Sequence, residues 1–295
     1  MITEIQISLI ELFRINPWLF FFAAIFFVLI PTSLFLTLCI LFQEFQRRKT
    51  MGLTPEFWGR YFKTYDILNR VIPYRELLQA LCEELEIQSE ECILEAGSGT
   101  GNLVLEIEKY GAIVVGFDFS KIGLRVHKEK KPDACVVLGD LVYPLPFRDC
   151  AFDKIVSSNT LYLISPEKRV NVMQEFFRIL KPGGKIVITN LRKGFKPRSI
   201  YFNHIQKGMR QMGIPWAAIE ILSLIVPTIK MLYYNYFIQK EARKDSFRFF
   251  NPDEQEKLFK ESGFTDISKT KSVFSSGGIL TSALKPERGL RNAKL

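Results

Sequence analysis

The sequence predicts an α/β fold, with a mostly parallel sheet covered by helices on both faces, preceded by a membrane-spanning helix. Three observations carry this prediction. Short apolar runs alternate with helical stretches along most of the chain. The first three of these runs each lead into a glycine or an acidic residue. A long uncharged stretch lies before all of them. Regular alternation of strands and helices is typical of a parallel sheet.

The uncharged stretch covers residues 17–42, which is 26 residues rich in Phe, Leu and Ile. A helix of this length would be about 39 Å long, enough to cross a hydrocarbon core of about 30 Å. Basic residues follow at 47–49, so the positive-inside tendency predicts a single-pass membrane protein with residues 43–295 in the cytoplasm. Two half-membrane helices broken at Pro31 are the alternative. Residues 1–49 are therefore interpreted as an N-terminal membrane anchor.

The body of the protein shows the alternation of elements directly. A helical pattern begins near Phe57, after a linker around residues 50–55, and the sequence Lys-Pro-Gly-Gly at 181–184 is expected to end the last regular helix. Two segments, 50–191 and 251–285, are interpreted as one folded domain, interrupted by an insertion at 192–250 and followed by a tail at 286–295. The predicted strands are 92–95, 113–117, 134–138, 154–157 and 185–189, and the predicted helices are 74–87, 101–110, 121–130 and 166–180.

The first predicted strand ends in Glu-Ala-Gly-Ser-Gly-Thr-Gly, residues 95–101. Gly97 and Gly99 allow a tight turn and a close approach of the backbone to a ligand, and the N–H groups at the start of the next helix can receive a negative group. The spacing is G-x-G-x-G, which does not match the dinucleotide fingerprint G-x-G-x-x-G. The loop therefore indicates a nucleoside-type ligand other than a dinucleotide, or a simple turn.

Acidic residues stand at the ends of the next two strands. Asp118 could accept hydrogen bonds from the two hydroxyls of a ribose, and Asp140 could accept one from an adenine amino group. Asp118 has an alternative role in capping the helix that follows from Ser120. Polar or glycine features at three consecutive strand ends favour a ligand site over turn chemistry alone.

Longer motifs then resemble one family. The resemblance covers about residues 57–191 and 252–285, and it is to class I S-adenosylmethionine-dependent methyltransferases, specifically the type 11 branch with the ubiquinone and menaquinone C-methyltransferases. It implies a Rossmann-like fold with a seven-stranded, mostly parallel sheet and an antiparallel last hairpin. The motifs that carry it are GDLVYPLPFRDCAFDKIVSSNTL (139–161), EFFRILKPGGKIVIT (175–189), YDILNR (65–70), FKESGFTDI (259–267) and SGGILTSA (276–283).

The resemblance also implies a cofactor and the residues that bind it. The cofactor would be S-adenosyl-L-methionine, and no metal is expected. The residues carried over are Glu95, Gly97, Gly99 and Gly101 at the methionine and ribose side, Asp118 at the ribose hydroxyls, Asp140 and Leu141 beside the adenine, and Asn159 near the sulfonium, with Ser98 and Phe119 in the same cofactor-binding set.

The residues that could remove a proton from an acceptor are less well marked. Tyr65, Tyr162 and His204 are the candidate catalytic residues, each with a core or surface role as the alternative. Many relatives have histidine where this chain has Tyr162, which leaves a general base at that position in doubt. The five cysteines contain no C-x-x-C pair and the chain has two histidines, so the spacing typical of a zinc site is missing.

The insertion points to the bilayer as a partner. Residues 192–250 carry eleven Lys/Arg against three acids, a net charge of +8 within a chain of +9, and residues 214–238 are strongly apolar and aromatic. We interpret this as an interfacial lid on anionic lipid, rather than a second spanning helix. The expected substrate is a lipophilic, membrane-resident small molecule, either a quinone-like ring or a lipid.

Three alternatives to this function stay open. One is methylation of amphiphilic small thiols or phospholipid amines by an anchored enzyme. The others come from different classes: a non-catalytic protein with a methyltransferase fold, or an RNA-binding one. Because the basic residues interleave with a membrane-like apolar stretch, a nucleic-acid partner is not expected.

Overall fold

The computed structural model describes residues 39–40, 55–242 and 248–287. The predicted anchor at 17–42, apart from Cys39 and Ile40, lies outside the described residues. So does all but the first two residues of the predicted tail.

A seven-stranded sheet forms the centre of the protein, in the order β3-β2-β1-β4-β5-β7-β6. Strands β1 to β5 run parallel to one another. Strand β7 pairs antiparallel with β5, and β6 pairs antiparallel with β7. This confirms the predicted Rossmann-like fold with an antiparallel last hairpin. The strands are β1 Cys92–Ala96, β2 Ile113–Asp118, β3 Cys135–Leu138, β4 Phe152–Ser158, β5 Leu180–Leu191, β6 Lys271–Val273 and β7 Gly278–Leu284.

Helices cover both faces of this sheet. Two short 3-10 helices, Asp66–Arg70 and Leu161–Leu163, lie near the carboxyl ends of the strands. The α-helices are α1 Pro55–Tyr65, α2 Ile72–Leu85, α3 Asn102–Glu108, α4 Lys121–Lys130, α5 Pro166–Ile179, α6 Pro197–Ala242 and α7 Glu254–Glu261.

The core is divided by the sheet into two layers. In β1, Ile93 and Leu94 are both fully buried, yet they belong to different hydrophobic clusters. Because successive side chains of a strand point to opposite faces, an uninterrupted apolar run is what a sheet covered on both sides requires. The same division separates Ile155 from Val156 in β4.

Helix α5 ends within one residue of its predicted end, but the next strand begins earlier than predicted. The helix ends at Ile179 and β5 begins at Leu180, so residues 181–184 lie within the strand and not in a terminating turn. The pairing of β4 with β5 shifts register here. Gly183 donates its N–H to the Lys285 carbonyl at 2.8 Å, so the glycines form an irregularity between neighbouring strands, which local helix-stop signals do not reveal.

The insertion folds as a pair of helices. Inside α6, Gly213 has φ 87° and ψ 174°, which no α-helix contains, and it separates 197–212 from 214–242. The two segments fold back on each other, because the His204 ring lies 5.5 Å from the Trp216 ring and a Cβ on Gly208 would lie 2.0 Å from the same indole. We call residues 197–242 the helical hairpin, with its tip at Gly213.

The base of the helical hairpin returns to the sheet. Arg192 and Phe250 form a parallel bridge, and Lys193 donates its N–H to the Phe250 carbonyl at 2.9 Å. Of the helices in the described residues, one stretch, Pro197–Ile238, is long and apolar enough to cross a membrane by length and composition. That length, however, includes the break at Gly213.

Candidate functional site

A cavity of about 580 Å³ opens at the carboxyl ends of β1, β2 and β4. The strand order reverses between β1 and β4, and this switch point is where ligands bind in open α/β sheets. Eleven of the thirteen residues singled out in the sequence line the cavity: Glu95, Gly97, Ser98, Gly99, Asp118, Phe119, Asp140, Leu141, Asn159, Tyr65 and Tyr162. Gly101 and His204 are outside its lining.

The glycine loop has the backbone form that its sequence suggested. Gly97 has φ +87°, and a Cβ there would lie 2.1 Å from the Thr160 hydroxyl oxygen. Gly101 has φ +77°, and a Cβ there would enter the His127 ring at 2.2 Å. Gly101 is therefore required by packing against α4, and Gly97 by the close approach of the loop to the end of β4.

In β1 and the glycine loop, two buried polar atoms of cavity-lining residues have no hydrogen-bond partner among the described residues. They are one carboxylate oxygen of Glu95 and the hydroxyl of Ser98. Burial raises the pKa of Glu95 well above its usual range, and the nearby Asp118 raises it further. Unsatisfied buried polar groups are costly and rare in native proteins. The Ser98 hydroxyl lies beside Gly116 on the side of His127, whereas the unsatisfied Glu95 oxygen indicates a ligand with a donor group.

Asp118 ties the glycine loop to the next strand end. Its carboxylate accepts hydrogen bonds from the Gly99 N–H at 2.8 Å and the Ser120 N–H at 2.7 Å. Burial outweighs these bonds and raises the pKa of Asp118 to about 6. Ser120 is the residue that caps α4, since its hydroxyl accepts the Gly123 N–H at 3.1 Å. The alternative capping role of Asp118 thus belongs to its neighbour, and Asp118 faces the cavity.

The next two strand ends complete this side of the cavity. Asp140 is exposed and accepts the Val142 N–H at 3.1 Å, while Leu141 is buried. Asn159 has φ +52°, and its N–H donates to the Thr189 carbonyl at 2.8 Å. A carboxylate at the rim beside a buried leucine suits an aromatic base with an exocyclic amino group.

Tyr162 is fixed by a chain of buried amides. Its N–H donates to Asn190 at 3.0 Å, Asn190 donates to Gln255 at 2.9 Å, and Gln255 donates to the Ile188 carbonyl at 2.9 Å. Burial raises the pKa of the Tyr162 phenol far above its usual range. A phenol that holds its proton so tightly can donate a hydrogen bond at neutral pH but is a poor proton acceptor.

Further tyrosines, missed in the sequence, share the cavity. Tyr61, Tyr74 and Tyr201 line it together with Tyr65. The Tyr61 and Tyr65 rings lie 5.3 Å apart, because residues four apart share one face of α1. Burial raises the pKa of Tyr65 to about 12. The Tyr-x-x-x-Tyr spacing is the signal that could have revealed this wall.

The 3-10 helix Asp66–Arg70 is fastened to the glycine loop by Lys130, which no sequence motif marks. Lys130 donates to Asp66 at 2.7 Å, to the Thr100 carbonyl at 2.9 Å and to Asn102 at 2.7 Å. The Thr100 hydroxyl also donates to Asp66 at 2.8 Å. These contacts place the 3-10 helix Asp66–Arg70 over the loop, so it forms one wall of the cavity.

His204 has a structural environment. The Ile72 N–H donates to Nδ1 at 3.3 Å, and Nε2 lies 3.3 Å from a Glu220 oxygen. The ring is 1% exposed, and burial lowers its pKa. An Nδ1 that accepts and an Nε2 that donates define a neutral tautomer. His204 thus joins the two arms of the helical hairpin to α2, away from the cavity.

Metal ligands do not gather in the part of the chain that the structure describes. No three His, Cys, Asp or Glu side chains there are placed to hold one ion. The polar groups of the cavity are a buried carboxylate pair, backbone N–H groups, amides and phenols, which suit hydrogen bonding to an organic ligand.

Comparison with known proteins agrees with this geometry. The sequence model of a methyltransferase domain family matches residues 94–188. A demethylmenaquinone methyltransferase of Thermobifida fusca (strain YX) is 33% identical over 162 residues, covering 52% of this chain and 66% of that protein. One from Geobacillus sp. (strain WCH70) is 26% identical over 229 residues, covering 73% of this chain and 89% of that protein. The chain spans 55–66% of the length of four such relatives.

A solved structure supports the fold. It is a complex of the Haloferax volcanii Trm112 methyltransferase activator with a methyltransferase, matched at a TM-score of 0.54 and 14% identity over 78% of this chain and 96% of that one. At this identity the likeness concerns the fold alone. The motifs, the glycine loop with its two strand-end acids, the seven-stranded sheet and the family match agree, and together they support a class I S-adenosylmethionine-dependent methyltransferase.

Proposed function

We propose that this protein transfers a methyl group from S-adenosylmethionine to a lipophilic small molecule, with a quinone-like ring as the first candidate. The observation that carries the proposal is the continuity of the cavity. One side is the polar wall of the glycine loop and strand ends, and the other is an aromatic and apolar wall from α1, α2 and the base of the helical hairpin.

The polar wall fits the cofactor. The unsatisfied Glu95 oxygen suits the amino-acid end of the molecule, and Asp118 retains acceptor capacity beside the glycine loop for ribose hydroxyls. Asp140 and Leu141 suit the base. When bound, the cofactor supplies an activated methyl group on a sulfonium, so the protein's own residues have to position the acceptor and exclude water.

The apolar wall supports a lipophilic acceptor. Tyr61, Tyr65 and Tyr74 provide flat faces, and Ile200 and Met231 extend the wall onto the helical hairpin. Such a surface binds an aromatic ring with an apolar chain better than a charged substrate. The name shared by several relatives, demethylmenaquinone methyltransferase, favours a quinone-like ring over other lipophilic acceptors.

Protonated tyrosines have a defined use here. The Tyr65 and Tyr162 phenols are neutral at physiological pH, as tyrosines ordinarily are, and burial raises their pKa further. They can therefore donate hydrogen bonds to carbonyl or hydroxyl oxygens of a ring. We assign them to orienting the acceptor. In-line attack on a methyl group depends on this alignment, since the reacting atoms must approach to about 3–3.5 Å.

The test measures cofactor binding and methyl transfer separately. Full-length protein is titrated calorimetrically with S-adenosylmethionine, and isotope-labelled methyl is followed into the organic extract of membranes containing demethylated quinone. We expect binding, and label in the ring. Asp118→Ala should abolish binding, whereas Asp133→Ala, at an exposed site outside the cavity, should not. Binding that is indifferent to Asp118, or label that never enters the organic phase, would refute the proposal.

A further inference from the structure

The outer surface of the helical hairpin is apolar where a soluble helix would be polar. Nine of the fifteen exposed large hydrophobic side chains in the described part of the chain lie on it. Six cluster at the two sides of Gly213, and we call these the tip patch: Met209, Met212, Ile214, Ile219, Ile221 and Leu222. Their exposed fractions range from 42% to 74%. Elsewhere such residues are scattered singly, which is normal for a protein surface.

The second arm of the helical hairpin has two different apolar faces. Ala217, Leu224 and Met231 recur at helical spacing and are buried against the body. Ile219 and Leu222 lie three residues apart, on the opposite side, and are 68% and 70% exposed. A helix that is apolar all round is buried or faces lipid. The inner face is covered by the body of the protein, so the exposed outer face is the one that would contact lipid.

Charge is absent from the outer face of the second arm near the tip. Between Arg210 and Lys230 the chain has one charged residue, Glu220. That carboxylate points inward, 2.6 Å from the Arg70 guanidinium and 3.3 Å from His204. Arg75 and Arg210 are exposed nearby, and burial of apolar residues flanked by basic ones is typical of helices at anionic membrane surfaces.

The packing argues against a helix that crosses the bilayer. Met231 and Asn235 of the second arm line the cavity, and the Tyr234 ring lies 5.5 Å from Phe57 and 5.8 Å from Tyr61. In the first arm, Lys207 pairs with Glu76 of α2 at 2.6 Å. These contacts hold both arms against the body, and a transmembrane position would remove them.

We infer that the tip patch inserts into one leaflet of an anionic bilayer, and that the helical hairpin thereby presents the apolar wall of the cavity to lipid. This deepens the proposed function, because it assigns the surface through which a lipophilic acceptor is drawn from the membrane. The tip leads insertion, while the base, which lines the cavity at Ile200, Tyr201 and Met231, stays at the interface.

The experiment uses full-length protein in nanodiscs of phosphatidylcholine and phosphatidylglycerol that carry a lipid with a photoreactive group in its acyl chain. After illumination, cross-linked peptides are mapped by mass spectrometry. Cross-links within 205–225 are expected, and any within 17–42 are scored separately. Replacing phosphatidylglycerol by phosphatidylcholine should reduce tip cross-linking several-fold.

A matched pair of variants provides the control. Ile219→Asp, at a site 68% exposed in the tip patch, should reduce tip cross-linking at least fivefold. Ile113→Asp, at a site 59% exposed at the start of β2, should leave it unchanged. Both sites are exposed, so circular dichroism should show folded protein in each case.

Three results would overturn the inference. They are disc-bound protein without tip cross-links, cross-links through Met231 and Phe237 as in a spanning helix, or concentration-dependent protection of the tip by a second protein molecule without lipid. Calorimetry with S-adenosylmethionine on the same sample separates the two proposals. Tip cross-links without cofactor binding would refute the function and leave the docking surface intact.

Discussion

Gly97 and Gly194 have nearly the same backbone angle but different surroundings, and their comparison separates two costs of adding a side chain. Their φ angles are +87° and +84°; a Cβ on Gly97 would lie 2.1 Å from Thr160, whereas nothing lies within 4 Å of one on Gly194. We expect Gly194→Ala to destabilise the protein by about 1 kcal/mol through backbone strain. Gly97→Ala adds the overlap, for a total of roughly 2–4 kcal/mol.

Urea unfolding of both variants measures this difference, and calorimetry with S-adenosylmethionine measures the second effect. Gly97→Ala should also weaken cofactor binding, because the loop must move to make room, while Gly194→Ala should bind like the native chain. Equal losses of stability in the two variants would show that the close approach to Thr160 is unimportant.

Asp118 predicts how cofactor affinity depends on pH. Its folded-state pKa, raised to about 6 from 3.8, means that the cofactor-free fold favours the protonated form. The stability that this group contributes is complete below about 3.8 and is lost as the pH rises through about 6. Ribose hydroxyls that donate to the carboxylate favour its ionised form. Affinity should therefore increase with pH up to about 6, by at most about tenfold per unit.

Calorimetry between pH 5 and about 8 in the native protein and two variants isolates this group. Asp118→Asn should bind weakly and without the change near pH 6, and Asp140→Asn, at an exposed site, should keep it. Glu95 also faces the cavity. Its pKa is raised well above its usual range mainly by burial and less by Asp118, so the shift in Glu95 should persist when Asp118 is replaced. A pH profile that is unaltered by Asp118→Asn would assign the change to Glu95.

The location of a single residue could be predicted from the sequence where neighbouring residues in the chain determine it. Asp118 follows a strand directly, so its location at the sheet edge required no knowledge of the rest of the fold. His204 shows the opposite case, because its partners, Ile72 and Glu220, are 132 and 16 residues away. Only the packed structure reveals that its nitrogens are used within the hairpin and that it is absent from the cavity.

At the scale of elements, Gly213 determines whether the insertion is a hairpin. Its angles, φ 87° and ψ 174°, lie in a region that is essentially restricted to glycine. A Cβ there would have only an ordinary contact, 3.7 Å from Pro215, so Gly213→Ala tests conformation alone. We expect a loss of roughly 1–3 kcal/mol, and faster hydrogen exchange in both arms. Exchange as slow as in the native chain would mean that the turn does not depend on glycine.

Glu220 connects the second arm of the helical hairpin to the 3-10 helix Asp66–Arg70. It pairs with Arg70 at 2.6 Å and lies 3.3 Å from His204. Arg70 is 47% exposed, so solvent screens part of this interaction and we expect Glu220→Gln to cost only about 1 kcal/mol. The control is Glu106→Gln, in the exposed pair with Lys109, which should change unfolding in urea by less than about 0.5 kcal/mol. If both variants lose equally little stability, the contact between Glu220 and Arg70 does not stabilise the protein.

Elements with strong periodicity were predictable, and those shaped by distant contacts were not. The five parallel strands follow apolar runs, which are largely buried in β1, β2, β4 and β5, and each predicted strand overlaps an observed one. The helical hairpin reads as continuous apolar sequence, because the reversal at Gly213 is fixed by packing of Trp216 against Gly208. The segment Lys-Pro-Gly-Gly at 181–184 indicates a helix stop, and the helix does end just before it. Its place in the strand, however, is set by pairing of β5 with β4 and β7.

For the whole molecule, the cavity joins three regions that are far apart in sequence. The glycine loop, the 3-10 helix Asp66–Arg70 with its neighbours in α1, and the base of the helical hairpin all contribute to one lining. Lys130 ties the first two together through Asp66, and Arg70 ties the second to the third through Glu220. Ligand binding at any one wall should therefore also reduce the motion of the other two walls.

Hydrogen exchange with and without S-adenosylmethionine tests this connection. Binding should slow exchange at 97–105, which contacts the cofactor, and also at 66–72 and 228–236, because the polar contacts through Lys130 and Glu220 make opening of one wall depend on the others. Helix α7 contributes no residue to the cavity lining and should show no change at 256–262. Glu220→Gln should uncouple 228–236 while leaving protection at 97–105. Protection confined to the glycine loop in the native protein would mean that the hairpin moves independently of the cofactor site, and that its position over the cavity is set by the membrane alone.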